Sequence, residues 1–131
     1  MKEENDKKLV EAFPLLYGDR HASSRSTAMC WGFSCNDGWF DIIWDMSSKL
    51  EPLLQKFHNE YPDLESPPRA SQVKEKFGGL RFYMTSATDE MHDLIEEVEA
   101  LSYRTCESCG EPGEERSGGW IQTLCDTCSE A

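Results

Sequence analysis

Four cysteines close the chain and constrain its fold more than any other feature: Cys106-Glu107-Ser108-Cys109 and Cys125-Asp126-Thr127-Cys128. Each pair is a C-x-x-C, and fifteen residues separate them. That spacing lets two short knuckles present four thiolates to one tetrahedral ion, the geometry of a closed structural zinc site. Gly110 directly after the first pair suits the tight turn a knuckle needs. Between the pairs, Gly118-Gly119 precedes Trp120-Ile121-Gln122-Thr123-Leu124, which predicts a β-hairpin delivering Cys125. Cys106, Cys109, Cys125 and Cys128 are therefore assigned to Zn²⁺, in a ribbon unit over 104–131 packed on a domain over 1–103. Four thiolates leave the ion no open position for water, so its role is structural.

The ribbon resembles modules that bind nucleic acid, but its charge opposes that use. From Thr105 to Ala131 there are six acids and one arginine, Arg116. The whole chain carries −12, and four thiolates with Zn²⁺ take it to about −14. A phosphate backbone is repelled by such a chain, so direct nucleic-acid binding is not expected. Basic protein surfaces are its natural partners. No apolar run approaches the ~18 residues that span a membrane. The N-terminus, Met1-Lys2-Glu3-Glu4-Asn5-Asp6, has no apolar signal core. C-x-x-C pairs without a signal fit the reducing cytoplasm.

Upstream, the pattern predicts an α+β domain in which a small antiparallel sheet packs on two or three helices. Residues 2–12 read as a short helix carrying Leu9, Val10 and Phe13 inward. Residues 27–35 read as a strand, with Met29, Trp31 and Phe33 alternating. Asn36 or Asp37 caps a long helix whose apolar face runs from Trp39 to Phe57. Pro52 lies inside it and predicts a kink or a restart. Residues 87–103 form a helix capped by Ser86 or Thr88, with six acids and no Lys or Arg.

The segment Gln72–Thr85 reads as a hairpin turning at Gly78-Gly79. Phe77 then pairs with Leu80, Glu75 with Phe82 and Val73 with Met84. One face holds Val73, Phe77, Leu80, Phe82 and Met84; the other holds Lys74, Lys76, Arg81 and Tyr83. A helix over 71–77 ended by Gly78 satisfies the same Val73/Phe77 spacing, and the hairpin is the preferred reading. Its cations, with Tyr83 beside them and Gly78-Gly79 allowing close approach, suit an anionic nucleotide: cations for phosphate, aromatic for base. The bland alternative pairs them with the acidic helix. Asp37, Trp39 and Asp41 lie at the start of the long helix as further binding or general-base groups. Cys30 and Cys35 read as buried thiols. The histidines read as surface or satisfied groups, with His21, beside Arg20 and Arg25, the exception as part of a phosphate-facing loop. No phosphate loop, dinucleotide fingerprint or nucleophile–base signature occurs.

Asp37-Gly38-Trp39-Phe40, the Gln72–Tyr83 segment, and the cysteine unit with Gly118-Gly119-Trp120 and Leu124-Cys125 together resemble a family of small bacterial, phage and prophage proteins. The resemblance covers about residues 27–128. It implies a mobile-element context and transfers no catalytic residue. With the acidity and the all-acid helix, it leads to a non-enzymatic inhibitor of a host factor, such as a nuclease or a CRISPR-type complex. A nucleotide-capturing protein is the second expectation, and a nucleotide-processing enzyme the third.

Overall fold

A computed structural model describes all residues, 1–131. The chain is α+β. Helix α1 (Glu3–Ala12) is followed by a turn-rich segment and a two-residue strand β1 (Phe33–Ser34). Helix α2 (Phe40–Glu60), hairpin strands β2 (Ala70–Lys76) and β3 (Gly79–Met84), and helix α3 (Asp89–Ser102) complete the body. The C-terminal unit holds β4 (Glu114–Arg116), β5 (Gln122–Leu124) and the single-turn helix α4 (Asp126–Glu130). No helix is long and apolar enough to cross a membrane.

The main sheet has the order β1-β2-β3 and is mixed rather than antiparallel throughout, because β1 runs parallel to β2. The strand expected over 27–35 is mostly absent. Residues Ala28–Trp31 form a 3₁₀ turn, capped by the Thr27 side chain on the Met29 N–H. Gly32, at φ 78°, then reverses the chain. Trp31 is consequently exposed, whereas Met29 and Phe33 are buried as expected. Alternation over so short a run cannot tell a strand from one turn followed by a bridge.

Helix α2 supplies the central stripe of the core: Ile43, Met46, Leu50 and Leu54, spaced to lie on one face. They join Val73, Leu80 and Phe82 from the sheet and Met91, Ile95 and Val98 from α3. Pro52 neither breaks nor restarts this helix. It sits on the exposed face, where the Ser48 carbonyl it leaves without a helical partner is open to water.

The N-terminal segment is built into the same core. Leu9, Phe13, Leu16 and Tyr17 are buried in it. Tyr17 packs edge-on against Phe33 at 4.9 Å, and its hydroxyl meets Ser47 Oγ at 2.6 Å. Burial pushes its phenol far above the ordinary range. Glu51 of α2 reaches across and accepts from the backbone N–H groups of Leu15 and Leu16, at 3.0 and 2.9 Å. The ion pairs Arg20–Asp6 (3.0 Å) and Arg69–Asp19 (2.6 Å) tie the same segment at its margins.

The hairpin forms, and the helical alternative over 71–77 does not. Its turn, however, is Phe77-Gly78 rather than Gly78-Gly79, with Lys76 opposite Gly79, Glu75 opposite Leu80 and Val73 opposite Phe82. This slip of two in pairing leaves each strand residue on its expected face. It removes Phe77 from the apolar face and places it, exposed, at the tip. Phe77 has φ 54° and Gly78 φ 84°, the left-handed pair of a type I′ turn. A phenylalanine there costs about 1 kcal/mol relative to the residues such turns favour.

The free edge of β3 is not left open. Ser102 Oγ accepts from the Leu80 N–H and Glu99 from the Phe82 N–H, both at 2.9 Å. Helix α3, capped by Thr88, is thereby fastened along the sheet edge and protects it from pairing with other chains.

Because Glu51 satisfies two otherwise unpaired backbone donors, Glu51→Ala should lower unfolding stability by about 2 kcal/mol. Glu51→Gln, which keeps one acceptor oxygen, should lose about half of that. Urea denaturation of the two variants beside the parent protein measures both.

Candidate functional site

The first knuckle turns at Gly110, whose N–H reaches the Cys106 carbonyl at 2.9 Å and whose φ of 85° requires glycine. The second is the start of α4, where the Cys128 N–H donates to Cys125 Sγ at 3.4 Å. All four sulfurs lie within 4.8 Å of one another, and Cys109 and Cys125 approach to 3.6 Å. A tetrahedral ion with metal–sulfur bonds of about 2.3 Å sets its sulfurs about 3.8 Å apart, so this cluster can hold a metal ion.

The electrostatics agree. Burial alone would raise the Cys106 thiol, but backbone N–H groups of Cys125, Cys109 and Ser108 bring it down to about 6. Contact with the other sulfurs, Cys125 first, pushes Cys128 up to about 12. A bound cation favours the thiolate form of its cysteine ligands.

The ribbon hairpin β4–β5 forms as its glycines predict, with Glu114 opposite Leu124 and Arg116 opposite Gln122. Arg116 is used internally: it binds Asp126 at 2.8 Å, Glu114 at 3.4 Å and the Leu124 carbonyl at 3.1 Å. Between Thr105 and Ala131 no free arginine therefore remains.

Asp37-Gly38-Trp39 serves this unit rather than a ligand. The Gly38 N–H donates to the Glu107 carbonyl at 2.7 Å, and an added Cβ would overlap the backbone of Cys106 and Glu107. Trp39 is fully buried, with its indole N–H on the Thr105 carbonyl at 2.9 Å. Asp37 does not cap α2. Its Oδ1 accepts from the Lys2 N–H at 2.9 Å and from Asn5 Nδ2 at 3.0 Å, and so it holds the start of α1. Burial would raise its carboxyl, but these two donors outweigh that and keep it below the usual carboxylate range. Asp41 remains exposed on α2, away from this contact.

Return contacts lock the ribbon further. Glu107, 4% exposed, accepts from the Asn36 N–H at 3.0 Å, and burial raises its carboxyl above the usual value. Thr123 Oγ1 donates to the buried Gly78 carbonyl at 2.7 Å. Gly79 is equally committed, since Tyr103 lies where a side chain would stand. Gly78 and Gly79 thus serve turn geometry and packing, at positions where the sequence suggested ligand approach.

Lys74, Lys76, Arg81 and Tyr83 do share one solvent-facing side of the hairpin. Lys74 stands directly opposite Arg81, a like-charged cross-strand pair that is unfavourable in isolation. The seven ion pairs within 4.0 Å include none of these cations, so the expected pairing with the acidic helix is not made. Arg81 donates to the Tyr103 hydroxyl at 2.9 Å, which raises its pKa further and keeps it charged.

The same ion pairs include no acid of α3. Asp89, Glu90, Asp93, Glu96 and Glu97 are exposed, and Glu99 alone is occupied, on β3. Elsewhere, Cys35 is buried with its thiol pushed up to about 12 by burial, and Cys30 is half-buried. Arg20, next to His21, is spent on Asp6 and the Cys30 carbonyl, whereas Arg25 is exposed and outside the ion pairs.

One grouping was not legible in the chain. Phe77, at one hairpin tip, and Trp120-Ile121, in the β4–β5 loop, line a common cleft with Lys76. The only hint was a bulky residue beside the glycines of a tight turn. Among known proteins, no family model, curated protein or solved structure matches this chain.

The backbone contact at Gly38 predicts that Gly38→Ala destabilises the metal-loaded protein by about 3 kcal/mol. Gly119→Ala, where an added Cβ meets nothing within 4 Å, should leave stability almost unchanged. Chemical denaturation of the two variants gives the comparison.

Proposed function

We propose that this is a non-enzymatic binding protein, clamped by zinc, whose acidic α3 surface occupies a basic surface on a partner protein. The carrying observation is the row of exposed α3 carboxylates without cationic partners. Asp89, Asp93 and Glu96 follow one helical stripe, and Glu90 and Glu97 flank it. A helix anchored at Thr88, Glu99 and Ser102 presents that charge on a rigid support. Such a surface competes with nucleic acid for a groove built to hold phosphates, and its charge steers association. The mobile-element resemblance makes a host nuclease or another nucleic-acid-binding defence complex the partner class, in the bacterial cytoplasm.

The metal in this reading is zinc. Thiolate ligands favour soft or borderline ions, and a closed four-cysteine site on two knuckles is a structural zinc geometry. Its binding supplies folding free energy on the order of 10 kcal/mol. The ion holds the ribbon against Gly38 and Trp39 and performs no chemistry.

Elemental analysis of purified protein should find one zinc per chain, and Cys109→Ser should lose it together with the ribbon's protection from proteolysis. For the docking surface, the test is retention from bacterial lysate in moderate salt, with added DNA as competitor. The parent protein should retain a nucleic-acid-binding protein that DNA releases. The triple variant Asp93→Lys, Glu96→Lys, Glu97→Lys should retain at least 10-fold less. Equal recovery by both, or recovery indifferent to DNA, defeats the reading.

A further inference from the structure

The cleft between the two hairpin tips has a volume of about 520 Å³, within the size range of small-molecule sites. Phe77, 65% exposed, and Trp120, 71% exposed, line it together with Ile121. Gly118 and Gly119 line it without side chains, and nothing lies within 4 Å of where their Cβ atoms would stand. Two large aromatics held this far into water, one of them in a strained left-handed conformation, are unfavourable for the chain alone. The strain has a ready relief that the chain does not use, since Asn at position 77 would fit the same turn.

The cations without carboxylate partners at the cleft lie on one face of the hairpin. Lys76 lines it, with its ammonium 5.6 Å from the Phe77 ring centroid. Lys74, two residues along the same strand face, and Arg81, opposite Lys74, continue the positive surface away from the cleft. None of the three has a carboxylate partner. The one acid in the wall, Glu75, is occupied by the Gly78 N–H at 2.8 Å.

We propose that this cleft binds a free nucleotide, with the base between Phe77 and Trp120 and the phosphates on Lys76, Lys74 and Arg81. Aromatic walls take any base through its π-face, so the site is selective for a base joined to phosphate and tolerant of which base it is. A free nucleotide, rather than a strand, fits the net charge of −12: a few phosphates meet the local cations, whereas a long backbone meets the acids beyond them. The site is separate from α3 and does not depend on the docking role proposed for that helix.

Isothermal titration of the zinc-loaded protein with ATP, GTP, CTP and UTP in turn tests the site, with adenosine, inorganic phosphate and an eight-residue deoxyadenosine strand as comparisons. The nucleotides should bind at least 10-fold more tightly than adenosine or phosphate alone. Phe77→Asn and Trp120→Ala should each weaken nucleotide binding about 10-fold, the scale of one lost stacking contact. Phe77→Asn should at the same time raise the melting temperature, by about 4 °C, because it relieves the turn. Lys76→Ala should weaken ATP and leave adenosine unchanged. Absence of nucleotide binding at millimolar concentration overturns the proposal. So does parental affinity in both aromatic variants, phosphate binding as tightly as ATP, or a strand bound far more tightly than any nucleotide.

Discussion

The close approach of Gly38 to the backbone of the first knuckle is the contact on which the arrangement of this protein depends. The Gly38 N–H bonds to the Glu107 carbonyl and the neighbouring Trp39 indole to Thr105, beside the return bonds from Asn36 to Glu107 and from Thr123 to Gly78. The first two are buried, where an unmade hydrogen bond is expensive. The close approach at Gly38 is possible only because position 38 lacks a side chain. Because Asp37 also holds the start of α1, three consecutive residues connect the N-terminal helix, the long helix and the metal unit. A cation held among the four thiols would stiffen the knuckle that this contact grips, and so couple metal binding to domain packing.

From this joint the rest of the surface takes its character. The ribbon's Thr123 holds the Gly78 carbonyl, which positions the β2–β3 turn, and the β4–β5 loop brings Trp120 to the cleft that Phe77 lines. On the far side of the hairpin, α3 is fastened to the edge of β3 by Glu99 and Ser102. Cations and acids are thereby kept on different elements: Lys74, Lys76 and Arg81 on the sheet face, five free carboxylates on the helix. A chain of net charge −12 loses some stability to self-repulsion by leaving those acids unpaired. Leaving the cations unpaired as well forgoes an available compensation. The combination agrees with the two binding surfaces of opposite charge proposed above.

Much of this was legible in the chain. The cysteine spacing, the acidic helix with its Thr88 cap, the apolar stripe of α2 and the sorting of the hairpin's side chains onto two faces follow from local periodicity and capping chemistry. The hairpin turn was misplaced by one residue because Gly78-Gly79 satisfies the local rule as well as Phe77-Gly78 does. Tyr103 lying over Gly79 is a long-range reason for glycine there that no local rule contains. The strand read over 27–35 failed for a related reason: a few alternating residues have the same pattern whether they extend or turn. Asp37 and Trp39 looked available for a ligand because their partners, Lys2, Asn5 and Thr105, are distant in sequence.

By itself the sequence determined which residues can bind metal, which helix is acidic and which side chains share a strand face. These are properties of spacing, and spacing is local. Only the tertiary structure decided how the glycines are used, that the cations stay unpaired, and that Phe77 and Trp120 line one cleft. Those outcomes depend on groups brought together from opposite ends of the chain, through packing and buried hydrogen bonds that no local pattern encodes.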